Sequence, residues 1–337
     1  MAISEFDIIH RIFSASGVER DDVATGIGDD GAVVRPPAGC DVVMVVDTLV
    51  AGVHFPPDTR PEDVGYKALA VNLSDMAAMA ATPAWATLAL TLPASDEVWV
   101  KAFAQGFFAL ADQYGIQLVG GDTTHGPLTV TVQVQGWVPR GQAVPRSGAR
   151  PGDMVYLTGM VGDAGLALYA WRRQRDLPDP HCDYLYSRLH RPVPRSREAE
   201  TLRDVATAMI DVSDGLAADL DHMLEASGVG ATLDLCDLPL SPSFAAVTGP
   251  EYFAFDEAER LCMALSAGDD YELCFTVPTS QAGRVEQSLS RFACGCRAIG
   301  VIEQAPGLRL KRSDGSLLSL ERRGYDHFAQ DPGDAEG

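Results

Sequence analysis

Lysine is scarce in this sequence, which has only Lys67, Lys101 and Lys311 among its 337 residues. No Gly-x-x-x-x-Gly-Lys-[Ser/Thr] loop occurs, so a Walker-type nucleotide site is excluded, and no protein-kinase signature set is present. Basic charge as a whole is short: 26 Lys and Arg against 47 Asp and Glu leave a formal charge of −21, which repels nucleic acid and anionic membrane surfaces. No stretch approaches the ~18 apolar residues of a membrane span. The start, Met1-Ala-Ile-Ser-Glu-Phe-Asp7, lacks the basic and apolar segments of a secretion signal. The expectation is a soluble, cytoplasmic protein with no nucleic-acid or membrane partner. Seven cysteines, an odd number, follow no zinc-ligand spacing and mostly sit in apolar runs such as Glu272-Leu-Cys-Phe-Thr-Val277. They read as small, reduced, buried hydrophobes, and Cys294-Gly-Cys296 has no second pair that would make it a metal site.

The length exceeds what one hydrophobic core usually serves, so two domains are expected. Asp41–Asp47 is a β-branched apolar run that reads as a buried strand, and Pro61-Glu-Asp opens a helical pattern to about Ala81. Trp85–Leu92 alternates as a strand, Ser95-Asp-Glu caps a helix that Gly115 closes after Tyr114, and Ile116–Val119 is a strand running into Gly120-Gly-Asp-Thr-Thr124. After the strand Leu128–Val138, the Pro- and Gly-rich segment 139–151 marks the boundary. The expected units are residues 1–140 for metal, ATP and dimerisation, 150–328 as a second α/β domain, and a loose acidic tail over 329–337. The second unit shows strands at Met154–Thr158, Tyr271–Val277 and Arg297–Ile302. Its helices are expected from Asp163, near Ser196–Ala208, after Gly215 and from about Thr279. Such alternation specifies an α/β or α+β fold.

Aspartate recurs beside glycine or small polar residues at the edges of apolar runs: Gly28-Asp-Asp30, Asp47-Thr48, Gly121-Asp122-Thr123 and Asp211-Val-Ser-Asp-Gly215. A further one, Asp75, lies in a helical pattern. Any one of these is most simply a turn or a polar helix position. Together they describe converging carboxylates, which repel unless cations neutralise them, and hard oxygen donors select magnesium. Magnesium shares phosphate oxygens with its protein ligands, which points to a nucleoside triphosphate. Without a Walker loop the phosphates fall to metals, to Arg146, and to backbone amides at Gly120-Gly121 and at the helix start after Asp214. Arg146 could equally be a solvated linker residue, and His54 a hydrogen-bonded histidine at a strand edge.

Eight segments in order carry a family resemblance over nearly the whole chain: Gly26–Asp30, Asp47–Phe55, Lys67–Asp75, Gly120–Thr124, Arg146-Ser-Gly-Ala, Asp211–Gly215, Gly268-Asp-Asp-Tyr-Glu-Leu273 and Gly324-Tyr-Asp-His-Phe328. This sequence resembles the thiamine-monophosphate kinases. The resemblance implies the aminoimidazole ribonucleotide synthetase-like fold, a homodimer built through N-terminal strands, and direct transfer of the ATP γ-phosphate to thiamine monophosphate without a phospho-enzyme. It implies Asp29, Asp30, Asp47, Asp75, Asp122, Asp211 and Asp214 as ligands of several magnesium ions, with Asp75, Asp122 and Asp211 at the catalytic centre. Gly121, Asp122, Arg146 and Ser213 are implied at ATP, and His54, Asp269 and Arg322 at the substrate.

Three departures from the family's pattern stand out. Val45 and Val46 stand where hydroxyl residues are usual, Asp269 replaces a glutamate, and Arg322 replaces an aromatic residue that would stack on the thiamine rings. The competing expectations are another ATP-dependent synthetase of the same superfamily and a non-catalytic cation- or nucleotide-binding regulator. Of the former, a selenophosphate synthetase looks for a reactive Cys near its start, whereas the first Cys here is Cys40.

Overall fold

The computed structural model describes residues 4–14, 16–320 and 323–325. Arg322, residues 326–328 of the Gly-Tyr-Asp-His-Phe segment and the tail 329–337 lie outside the described residues.

The first half begins with α1 (Glu5–Ile8) and the short hairpin β1 (Val23–Thr25) with β2 (Val33–Val34), and then builds a four-stranded sheet. Its strands are β3 (Cys40–Val50), β4 (Thr82–Leu92), β5 (Gln117–His125) and β6 (Thr129–Pro139), in the spatial order β3-β6-β4-β5. Only β4 and β5 run parallel, and the connection between them is the helix α3 (Glu97–Tyr114). The sheet's inner face is set by alternation: Val130, Val132, Val134 and Val138 of β6 are buried with Leu88 and Leu90 of β4.

The helix α2 (Pro61–Ala78) covers that face. Proline at its first turn and Glu62 and Asp63 beside it suit a helix start. Fourteen of its eighteen residues are buried, because it packs on the sheet, on α3 and, at its far end, on the second half of the chain. Gly65 of α2 and Gly106 of α3 let these helices touch at the backbone: a Cβ on Gly65 would meet the Phe103 carbonyl oxygen at 2.1 Å, and one on Gly106 that of Glu62 at 1.8 Å.

The second half places β7 (Asp153–Thr158), β8 (Ala208–Asp211), β9 (Gly230–Asp234), β10 (Leu273–Pro278), β11 (Cys296–Glu303), β12 (Gly307–Lys311) and β13 (Leu317–Leu318) in one sheet, ordered β13-β12-β9-β11-β7-β10-β8. Around it lie α4 (Asp163–Arg172), α5 (His181–His190), α6 (Ser196–Glu200), α7 (Leu216–Ser227), α8 (Pro242–Val247), α9 (Glu257–Ser266) and α10 (Ala282–Leu289). Mostly antiparallel pairing with peripheral helices makes this an α+β architecture. The end of α2 enters the second half's core, where Ala77, Ala78 and Ala80 pack with Tyr156, Leu273 and Phe275. Arg203 closes that junction by donating to the Ala80 carbonyl at 2.6 Å.

Several expected boundaries move. The helix from Pro61 stops at Ala78, and Ala80 turns left-handed (φ 53°) before β4 begins at Thr82. The helix near Ser196–Ala208 is confined to Ser196–Glu200, because Thr207 donates its N–H to the Thr276 carbonyl at 2.8 Å and the chain pairs with β10 from there. Tyr271 does not belong to the strand expected over Tyr271–Val277, since its φ of 51° is incompatible with extended backbone. Gly120-Gly-Asp-Thr-Thr124 is no turn: it continues β5 to His125, and Gly121 permits the approach, since a Cβ there would meet the Leu88 carbonyl oxygen at 1.9 Å. The helices α5, α8 and α9 and the strands β9, β12 and β13 had no counterpart in the sequence pattern.

Candidate functional site

Where α2 meets β8, the two halves enclose a cleft of about 380 Å³. Asp47 reaches it from β3, Asp75 from α2, Asp211 from the end of β8, and Ser213 and Asp214 from the turn that follows. His54 and Val53 line it from the loop after β3, and Asp269 and Tyr271 from the loop before β10.

Mutual repulsion marks these acids. Burial, then Asp211 and Asp214, push Asp47 up to about 6. Burial, then Asp211 and Asp47, push Asp75 up to about 8, against the pull of Arg146. Asp211 is raised by burial as well, opposed by the Ser74 hydroxyl, which donates to its Oδ2 at 2.7 Å, and by Arg146. Arg146 is therefore close enough to act on both Asp75 and Asp211, and its own loop is tied down by Ser227, which accepts the N–H of Gly148 at 3.1 Å. Among the described residues no group of three or more His, Cys, Asp or Glu side chains is arranged to hold a metal ion unaided.

His54 Nδ1 accepts the Val50 N–H at 3.0 Å, so in the neutral ring the proton sits on Nε2. Opposite it, Asp269 takes the Lys67 ammonium at 3.0 Å and the Tyr271 hydroxyl at 3.0 Å. The loop carrying Asp269 is anchored from behind by Glu272, fully buried and paired with Arg195 at 2.5 Å and Arg188 at 2.9 Å.

The turn after Asp211 corrects one expectation. Asp219 Oδ2 accepts the backbone N–H groups of Ser213, Asp214 and Gly215 at 3.0, 3.0 and 3.1 Å. The amides of Ser213, Asp214 and Gly215, in the turn that leads into α7, are therefore committed to an internal carboxylate and do not serve as a phosphate cradle. Asp219 is a site residue the motifs did not single out. Its signal was an acid in the first turn of the helix, and burial with Asp211 and Asp214 pushes it up to about 8.

The remaining expected ligands lie elsewhere. Asp29, Asp30, Gly121 and Asp122 line a second cavity of about 370 Å³, to which Ile9, Phe13, Ile27, Leu88 and Leu118 add apolar wall and His10 and Thr123 polar groups. Asp47 is on β3 and Asp122 on β5, the two opposite edges of the four-stranded sheet, three strand spacings or roughly 14 Å apart. Within one chain, then, the seven aspartates expected at magnesium form two groups, and Gly121 and Asp122 are separated from Arg146 and Ser213. Val46 borders the first cleft, and Arg322 is outside the described residues.

The chain matches the AIR synthase related protein N-terminal domain over residues 28–138 and the C-terminal domain over 150–313. It is 47% identical over 333 residues to the thiamine-monophosphate kinase of Salmonella typhimurium, covering 98% of this chain and 99% of that one. Its fold is similar to the crystal structure of thiamine-monophosphate kinase from Stenotrophomonas maltophilia K279a, with a TM-score of 0.83 and 43% identity over 94% of this chain and 99% of that chain. It is also similar to AaThiL complexed with AMPPCP and TMP, with a TM-score of 0.76 and 30% identity over 96% of this chain and 97% of the other.

Proposed function

The chain belongs to the AIR synthase related family and, within it, to the thiamine-monophosphate kinases, and on that footing we propose that the cleft between its halves is where ATP phosphorylates thiamine monophosphate. The enzyme is a kinase that converts thiamine monophosphate and ATP to thiamine diphosphate and ADP. The observation that carries the cleft's assignment is the convergence of Asp47, Asp75, Asp211 and Asp214, with Asp47, Asp75 and Asp211 held above their ordinary carboxylate range by burial and by one another. Such a group requires cations once it ionises.

The donor set fits magnesium, being aspartate oxygens with no thiolate, and too sparse to chelate without phosphate oxygens and water. Bound magnesium supplies charge neutralisation across the transferred phosphoryl group. The chain's own residues supply position. Arg146 adds a cation whose field reaches Asp75 and Asp211, Ser213 a hydroxyl on the cleft wall, and His54 a ring N–H directed by its Nδ1 bond. The acceptor is a phosphate monoester, ionised at neutral pH, so its oxygen attacks in line without a general base. Direct transfer follows, with no phospho-enzyme. His54 and Asp269 face thiamine monophosphate, and Arg322 is assigned to the same substrate from its place in the sequence.

We place the second group, Asp29, Asp30, Gly121 and Asp122, at the same ATP and metals through a homodimer. Val42, Met44 and Val46 leave 48, 65 and 58% of their surface exposed along the edge strand β3, an apolar row that a partner's strand would cover. Residues 1–140 then form the dimerising and nucleotide-binding unit, and 150–328 the second domain. A cytoplasmic setting fits seven cysteines that are all free thiols, and among the described residues no helix is long and apolar enough to cross a membrane.

The test is ADP formation by the purified protein with thiamine monophosphate, with and without magnesium, and with free thiamine in its place. Turnover that needs the monophosphate and magnesium is expected. Equal turnover of free thiamine would remove the substrate assignment.

A further inference from the structure

Lys67 is one of three lysines in the chain and has 2% of its surface exposed, a position where an ammonium group requires partners. Its partners are both walls of the acceptor side of the cleft: Asp269 Oδ1 at 3.0 Å and the carbonyl oxygen of His54 at 3.2 Å. The Tyr271 hydroxyl donates to the same Asp269 oxygen at 3.0 Å. Both internal donors thus use Oδ1, and among the described residues Oδ2 has no hydrogen-bond partner, while Asp269 lines the cleft.

The loop needs such a tether. Gly268, Asp269 and Tyr271 have φ of 75°, 62° and 51°, a left-handed stretch that two non-glycine residues adopt only under constraint from their surroundings. Glu272 fixes the loop's far end through Arg195 and Arg188, and Asp270 accepts the Gly162 N–H at 2.9 Å, but neither Asp270 nor Glu272 lines the cleft. On the cleft side the backbone is held by the Asp269 N–H, which donates to the Ser213 carbonyl at 2.8 Å, and the Asp269 side chain is held by Lys67 and Tyr271.

We propose that Lys67, assisted by Tyr271, is a positioning residue for the acceptor substrate: it ties Asp269 to His54 and presents Asp269 Oδ2 as a fixed hydrogen-bond acceptor. This rests on the kinase function above. Because the Lys67 ammonium balances Asp269, the wall carries little net charge, and it recognises an N–H donor rather than a cation. Thiamine carries such a donor in its pyrimidine amino group. Lys67 touches neither Asp75 nor Asp211, so its effect belongs to the acceptor substrate and not to ATP.

Steady-state kinetics of Lys67→Met and Tyr271→Phe with each substrate varied in turn test this. Wild-type turnover of thiamine monophosphate secures the function first, and its absence would count against that function alone. Lys67→Met is expected to raise KM for thiamine monophosphate about tenfold or more and leave KM for ATP within about twofold, and Tyr271→Phe to shift the same constant about threefold. A Lys67→Met enzyme with a lowered melting temperature but unchanged KM values, or with both KM values raised together, would show a structural role only and overturn the proposal. Where Lys67→Met does not fold, the isosteric Tyr271→Phe decides: an unchanged KM for thiamine monophosphate overturns it equally.

Discussion

Ser74 on helix α2 donates its hydroxyl to Asp211 at the end of β8 across 2.7 Å, so one hydrogen bond joins the two halves of the chain at the acidic cleft. Ser74 and Asp211 are both buried, and of the groups that stabilise the carboxylate this hydroxyl has the largest effect, ahead of Arg146 and a backbone hydrogen bond. Removing one partner of a buried hydrogen bond costs about 1–3 kcal/mol. Ser74→Ala is expected to destabilise the metal-free protein by that amount in urea denaturation. An unchanged midpoint would mean that Asp211 is protonated or hydrated there.

Asp75 is held at about 8 first by burial and then by the charges of Asp211 and Asp47. Asp75→Asn removes its own charge. Loss of one such electrostatic contact in the transition state typically lowers rate on the order of 10²–10³. The variant is expected to lose activity on that scale while its metal-free form at about pH 8 melts no lower than wild type. A fall in both rate and melting temperature would assign Asp75 to structure.

The same raised acids set a pH dependence. In the folded state Asp47 titrates near 6 and Asp75 near 8, against 3.8 for an ordinary Asp, so folding binds protons. Their contribution to stability is complete below about pH 4 and is lost as pH rises through 6 and then 8. Calorimetry in chelator is expected to show the melting temperature falling between about pH 5 and 8.5, with added magnesium restoring most at the alkaline end. A flat profile in chelator would show that these carboxylates are already compensated.

Asp75 and Asp122 lie in separate groups of one chain, so a homodimer that unites the groups makes each site from two copies. Co-expressed Asp75→Asn and Asp122→Asn chains are expected to regain about a quarter of wild-type activity, because half of the dimers are mixed and each mixed dimer has one site free of both changes. Each variant alone is expected to be inactive. No recovery in isolated mixed dimers would put every ligand of a site in one chain.

The elements that position the first cleft were legible because local chemistry decides them: proline and two acids start α2, Asp96 and Gly115 bound α3, and β-branched runs make β3 and β6. The aspartate segments singled out residues that the structure divides between two cavities, a grouping the segments did not show. A glycine pair before Asp122 reads locally as a turn, and only pairing with β4, far away in sequence, keeps it extended and sends Asp122 to the opposite sheet edge from Asp47. Asp219 escaped notice for a related reason, since an acid in a helix's first turn is ordinary, and its three amide bonds exist only once the preceding turn has folded back over it.

The backbone contact of Gly65 with α3 gives α2 a fulcrum. Asp75 lies ten residues farther along the helix, about 15 Å at 1.5 Å per residue, and so rides at the end of a lever pivoting on that point. A single methyl group at Gly65 would wedge the helices apart and swing Asp75 out of register with Asp211, disabling phosphoryl transfer from a place no substrate touches.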